Sequence, residues 1–268
     1  MLVPPPPVAV LGAPNLAVRL GAAGVTVVPR PEAAVVVIGG AAGGRVRVAR
    51  DVVSTGRAAF LLWPPGVSVE EAVALGARAE EAGVEVGVAR PLGVGGLLAG
   101  RPAGWTARLV TLSITAVPDG PLDAVGWAHR LAGALDVCAA LTASHDVARL
   151  DAEADRDGAA LRAAAVSARF RTGAFAQVSL RTSAQVAADE VALFASGPGG
   201  RVEARSLAGP LCVETGGRPV FTTPTSDPEA AEVLSFIEAV GAGRRAPYAL
   251  DAALDTLRLV EQVQERLR

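Results

Sequence analysis

Val8-Ala9-Val10-Leu11-Gly12-Ala13-Pro14-Asn15-Leu16-Ala17 is an apolar run that stops at a glycine and passes into a helical stretch. An unbroken apolar run of this length reads as a strand covered on both faces. Asn15 is placed to cap a helix running to Ala23. The pattern repeats outward from this turn. Val25 to Val28 reads as a second strand, and Ala33 to Ile38 as a third, closed by Gly39-Gly40. Val46 to Ser54 reads as a helix and Ala58 to Leu62 as a strand. Ser68-Val69-Glu70-Glu71 has the form of a capping box, opening a helix that stops at Gly83. Val84 to Val88 is the next strand. Strands alternating with helices imply a parallel, doubly wound sheet.

The later half has a different rhythm. Arg108 to Val117 reads as a strand and Trp127 to Ala140 as a helix. Val166 to Phe170 and Phe175 to Arg181 alternate around Arg171-Thr172-Gly173-Ala174, a hairpin signal. Val191 to Ala195 and Arg201 to Arg205 flank a second glycine-rich turn, and Leu211 to Glu214 and Pro219 to Phe221 flank a third. Asp227-Pro228-Glu229 starts a helix with Asp as N-cap and Pro at its first position. Leu250 to Leu267 is a last amphipathic helix. The fold class expected is therefore α/β: a truncated Rossmann-like parallel-sheet domain over residues 1–100, then an α/β domain with an open, mostly antiparallel sheet over 101–268.

Composition narrows the function classes. At 268 residues two domains are the natural division. Hydrophobic residues make up 51%, enough for substantial cores. The net charge is −2 and no basic block occurs, which excludes a nucleic-acid partner from the reading. No apolar run reaches the ~18–20 residues of a membrane span. Met1 to Pro7 lacks the basic start and apolar core of a signal peptide, so the expectation is a cytoplasmic protein. Cys138 and Cys212 both lie in apolar runs and read as free buried thiols. All 25 basic residues are arginine. Codon bias accounts for arginine on a surface.

A dinucleotide site asks for Gly-x-Gly-x-x-Gly after the first strand and an acid after the second. Here Gly12 is the one glycine retained; Pro14 has no N–H to donate, and Leu16 and Ala17 carry Cβ atoms where close approach is wanted. The acid position holds Pro29, followed by Arg30, which would suit a 2′-phosphate and so NADP rather than NAD. Gly12, Asn15 and Arg30 are thus the candidate coenzyme contacts, and their chemistry argues against a firm hold on NAD(P).

Taken together, Phe170-Arg171-Thr172-Gly173-Ala174-Phe175, Phe194-Ala195-Ser196-Gly197-Pro198-Gly199-Gly200 and Phe236-Ile237-Glu238-Ala239-Val240 leading to Asp251-Ala252-Ala253-Leu254 resemble the Gfo/Idh/MocA family of nicotinamide-dependent oxidoreductases. The resemblance implies a catalytic lysine in a Glu-Lys-Pro motif, where this chain has Leu62-Trp63-Pro64. It implies a further helix–strand–helix stretch where this chain has only Pro29 to Glu32. It also implies an Asp and a His one turn apart at the start of the helix crossing the pocket. His129 stands at about that place, with Val125 one turn before it and Asp123 nearby. Imidazole titrates in the range suited to proton transfer. Trp63 has no titratable group near neutrality; it either lines the pocket or packs into the core. Trp127 and Trp105 are placed to reach the same cavity, and Arg90 to meet a carboxylate or phosphate. His145 reads as a surface turn, and no metal-ligand set is evident.

Three readings follow. In the first the chain is a degenerate relative of these oxidoreductases that has lost hydride transfer. It then binds a small-molecule ligand, or pairs with itself or an active paralogue through the open sheet, whose apolar face needs covering. In the second it is an active NAD(P)-dependent oxidoreductase of a sugar, cyclitol or related metabolite, with His129 as acid/base. In the third it is a non-redox lyase, isomerase or cyclase using the same pocket. The residues leave open whether the chain is an enzyme.

Overall fold

The computed structural model describes residues 5–40, 44–66, 68–90, 104–116, 124–157, 160–186, 190–205, 211–215, 217–222, 227–246 and 249–267. The chain divides into two compact units, Met1–Gly93 with Asp227–Asp255, and Val94–Ser226 with Thr256–Arg268.

The first unit opens with β1 (Val8–Leu11), α1 (Pro14–Ala22), a 3-10 turn (Arg30–Glu32), β2 (Val35–Ile38), α2 (Arg45–Ser54), β3 (Ala58–Leu61), α3 (Val69–Ala82) and β4 (Val86–Val88). The strands form a parallel sheet in the order β1-β2-β3-β4. Val35 to Ile38 are all buried, as a run of β-branched residues covered on both faces should be. Ser68 and Glu71 form the reciprocal capping box, and Gly83 ends α3 at φ +65°, both as the sequence implies.

Two expectations fail here. The helix starts at Pro14, not Asn15, and its N-cap is Ala13 with no side-chain cap. Proline suits the first helical position because its missing N–H is not needed there, and this pushes Asn15 inside the first turn. The strand expected at Val25 to Val28 shrinks to one parallel bridge, Val27 to Val8. Val28 N–H reaches Val8 O (2.9 Å), and Ala34 N–H already reaches Pro7 O (3.0 Å). The segment therefore folds back at the amino end of β1.

The second unit holds β5 (Leu109–Ala116), α4 (Ala124–Thr142), β6 (Val147–Asp157), β7 (Ala160–Phe170), β8 (Phe175–Thr182), β9 (Glu190–Gly197), β10 (Gly200–Ala204), β11 (Leu211–Thr215) and β12 (Arg218–Thr222). They form one eight-stranded sheet, β12-β11-β10-β9-β5-β8-β7-β6, antiparallel except for the β5–β8 pair. In β8 burial alternates strictly: Ala176, Val178 and Leu180 face the core while Phe175, Gln177 and Ser179 stay exposed. The helix α4 packs against β5, β7 and β8, and Leu131, Leu135 and Cys138 along it are fully buried.

The helices α5 (Pro228–Gly241) and α6 (Leu250–Arg266) complete the chain. Asp227 caps α5 by accepting from Ala230 N–H, as read from the sequence. A division drawn in chain order at residue 100 puts α5 with the second domain, but it packs in the first unit. Its Phe236 is fully buried and lies 4.9 Å from Phe60, centroid to centroid. A Cβ on Gly87 in β4 would stand 2.7 Å from both rings. Glycine there opens the slot that Phe236 fills, a burial worth roughly 2–3 kcal/mol. Among the described residues, no helix is long and apolar enough to cross a membrane.

Candidate functional site

In open α/β sheets ligands gather beyond the carboxyl ends of the strands, where the chain switches sides. That edge of the first unit comprises Gly12 after β1, Gly39-Gly40 after β2, Leu62-Trp63-Pro64 after β3 and Ala89-Arg90 after β4.

Gly12 adopts φ +69°, and a Cβ there would stand 2.9 Å from Gly39 C, Gly39 O and Gly40 Cα. Gly39 N–H donates to Leu11 O at 2.7 Å. The turns after β1 and β2 therefore meet backbone to backbone. At the start of α1, Leu16 and Ala17 N–H both turn to Ala13 O (3.1 and 3.2 Å), and Pro14 has no N–H. Of residues 14–17, only Asn15 keeps an N–H outside this arrangement.

The backbone of Arg30 lies away from this edge. It lies in the fold-back between Val28 and Ala34, and its carbonyl accepts from Arg57 Nη1 at 2.5 Å. Arg57 precedes β3, so Arg30 belongs to the amino edge of the sheet. The strand that would have carried it upward stops after one bridge.

Trp63 follows β3, is joined to Pro64 by a cis peptide, and packs half-buried against the core cluster that contains Phe60, Phe236 and Ile237. Arg90 follows β4; its backbone N–H donates to Glu232 Oε2 of α5 at 2.9 Å, and its Nη1 is buried without a hydrogen-bond partner. Glu232 is only 2% exposed. Sequence reasoning overlooked both Glu232 and Arg45, the first residue of α2. Arg45 is buried and reaches the carbonyls of Gly40, Leu62 and Pro64.

The second unit holds the remaining candidates. His129 is half-buried on α4. Trp127 is fully buried core, which removes it as the lining of an open pocket. Asp123 lies outside the described residues. Trp105 packs at the β9–β10 turn, where a Cβ on Gly200 would stand 3.4 Å from its Nε1. His145 is not a free surface residue: its Nε2 lies 3.1 Å from Asp136 Oδ1, and Asp136 also accepts from Thr256 Oγ1 at 2.7 Å. Asp136 is 2% exposed, and an acid within Leu135-Asp136-Val137-Cys138-Ala139 was itself the sequence signal for a buried partner. Burial, helped by that carboxylate, pushes the Cys138 thiol well above its ordinary range, so it is inert. Among the described residues no cluster of metal-ligating side chains occurs.

No protein-family model and no curated protein matches this chain. Solved structures do, and they define the class: the fold is that of the Gfo/Idh/MocA oxidoreductases. UDP-N-acetylglucosamine 3-dehydrogenase GnnA from Acidithiobacillus ferrooxidans shares it at TM-score 0.81 and 17% identity, over 99% of this chain and 98% of that one. A Gfo/Idh/MocA family oxidoreductase from Vibrio cholerae matches at TM-score 0.74 and 15% identity, over 98% of both chains. Biliverdin reductase from Synechocystis sp. PCC 6803, solved with biliverdin and NADP+, matches at 0.70 and 14%, over 97% and 98%. At these identities the likeness is one of fold.

Proposed function

We propose that the chain is a degenerate Gfo/Idh/MocA-type protein that has lost hydride transfer. It acts in the cytoplasm as a small-molecule binder or as the accessory subunit of a paralogous oxidoreductase. The observation that carries this is Pro14, which opens α1 where a dinucleotide fingerprint has its second glycine and has no N–H to turn to a pyrophosphate. Gly12 keeps the tight turn, with a Cβ position only 2.9 Å from backbone atoms of Gly39 and Gly40. The fold-back at Val28 supports the same reading, because the backbone there turns back after one bridge and does not run on beside β1. The residues present do not fit NAD(P). Trp63, in place of a lysine, offers a flat apolar face to a ring or sugar but no proton. Arg90 offers a cation to a carboxylate or phosphate.

Titration of the purified protein with NADH and NADPH, followed by coenzyme fluorescence, tests this reading. The expected result is no saturable binding in the micromolar range. Micromolar affinity for either coenzyme would overturn it. It would favour an active oxidoreductase using His129 as acid/base, the reading that solved neighbours bound to NADP+ or NAD keep in view.

The open face of the eight-stranded sheet is the proposed surface for a second copy or a paralogue. Its centre carries small residues, Ser113, Ser179, Ala163 and Ala165, which let another sheet approach closely.

A further inference from the structure

Arg45 is a cation at the first position of α2, the positive end of the helix dipole, where a basic residue is disfavoured. Its side chain does not run out to solvent; it is 7% exposed. Nε donates to Gly40 O at 3.1 Å, and Nη2 donates to the same carbonyl. Nη1 donates to Leu62 O at 2.5 Å and to Pro64 O. One guanidinium thus spans the exits of β2 and β3.

The residue enclosed by these bonds is Trp63. The carbonyl before it and the carbonyl after it are both held by the same nitrogen of Arg45. Leu62 N–H is held as well, by Ile38 O at 3.0 Å. The backbone carrying the indole is therefore pinned on both sides, while the indole itself lies against the core. Removing a cation from water is expensive, and here burial pulls the guanidinium below its ordinary pKa while Glu229 holds it up. Hydrogen bonds from all three nitrogens to carbonyls offset that cost. A lysine could not reproduce them, because an ammonium is a single donor point and the carbonyls lie along a planar fork.

We infer that Arg45 is a positioning residue, which fixes the orientation of Trp63 at the carboxyl edge of the sheet. Its use for ligand binding rests on the reading of Trp63 as pocket lining, but the tie between the two residues does not. The test uses the full chain labelled with 5-fluorotryptophan, with the Trp63 resonance assigned from Trp63→Phe. In Arg45→Lys and Arg45→Gly that resonance is expected to shift and broaden, while those of Trp105 and Trp127 stay in place. Millimolar guanidinium should restore it in Arg45→Gly, and ammonium should not. The inference is overturned if the Trp63 resonance is unmoved in either variant, if all three resonances move together, or if guanidinium restores nothing. Should Arg45→Gly fail to fold, Arg45→Lys carries the test alone. If the Trp63 resonance moves in Arg45→Lys but ignores millimolar myo-inositol and D-glucose in the wild type, the tie stands and the evidence turns against the pocket reading.

Discussion

At the carboxyl edge of the four-stranded sheet the chain satisfies itself. Gly12 meets Gly39-Gly40, Arg45 takes the carbonyls of Gly40, Leu62 and Pro64, and Glu232 takes the N–H of Arg90. The open face of the eight-stranded sheet does the reverse. Thr111, Gln177 and Ser179 stand on it, with Leu109 39% and Phe175 40% exposed at one end. This fold ordinarily binds its ligand at the first of these places. Here that edge is tied by internal contacts, while the sheet face presents small and polar side chains to solvent.

The sharpest way to break this contrast is Gly12→Ala. The substitution forces a left-handed backbone on alanine and drives its Cβ to 2.9 Å from three backbone atoms, none of which can swing away. A loss of about 2–4 kcal/mol in urea unfolding is expected, from the strain of a left-handed non-glycine residue plus the steric clash. A loss below about 0.5 kcal/mol would mean that the two turns separate easily and that the edge is open after all.

The sequence revealed the locked edge only in part. The absent second and third glycines and Pro14 were legible, because they are residue identities within one turn. That Gly12 faces Gly39-Gly40 was not, because it depends on which strands become neighbours. The strand at Val25 to Val28 was misread for a related reason: it has strand composition, but a strand's length is set by its partner, and Val8 pairs with only one of the four residues. The strand β6 was passed over because Leu150 is its one buried large apolar residue, and Ala148, Ala152 and Ala154 carry little strand preference. The caps at Ser68 and Asp227 were read correctly, since a cap is a local exchange between a side chain and a nearby N–H. Arg45 left one faint signal, a basic residue at the wrong end of a helix.

The covered side of the eight-stranded sheet offers a finer measure, through Cys138 on α4. Its thiol is raised in the fold by burial and by Asp136. Above the ordinary thiol value of ~8.5 the unfolded chain therefore releases a proton that the folded chain keeps. Stability is unaffected by this group below that value and falls as the pH rises past it, by up to about 1.4 kcal/mol per pH unit. Cys138→Ala removes the slope. The stability gap between wild type and variant should narrow between pH 8 and 10 by on the order of 1–2 kcal/mol. A gap that stays constant would mean the interior behind the sheet is wetter than its burial implies.

Ser179→Arg probes the open side of the same sheet, and it should hardly touch the fold. Ser179 is exposed on β8, in register with Ser113 of β5 and Ala165 of β7, so an arginine there extends into solvent. In the isolated chain its effect on urea unfolding is expected to stay within about 0.5 kcal/mol. Against a second sheet the outcome differs. The small residues around position 179 leave room for close packing, and a long side chain placed among them would fill the space a second sheet needs, at a cost of about 1–3 kcal/mol. Sedimentation equilibrium should then show an assembled wild type and a dissociated variant, both with the same circular dichroism. If both sediment as the same assembled species, the chain associates through some other surface. If both are monomers, assembly is not what the open face is for, and recognition falls to Trp63 and Arg90.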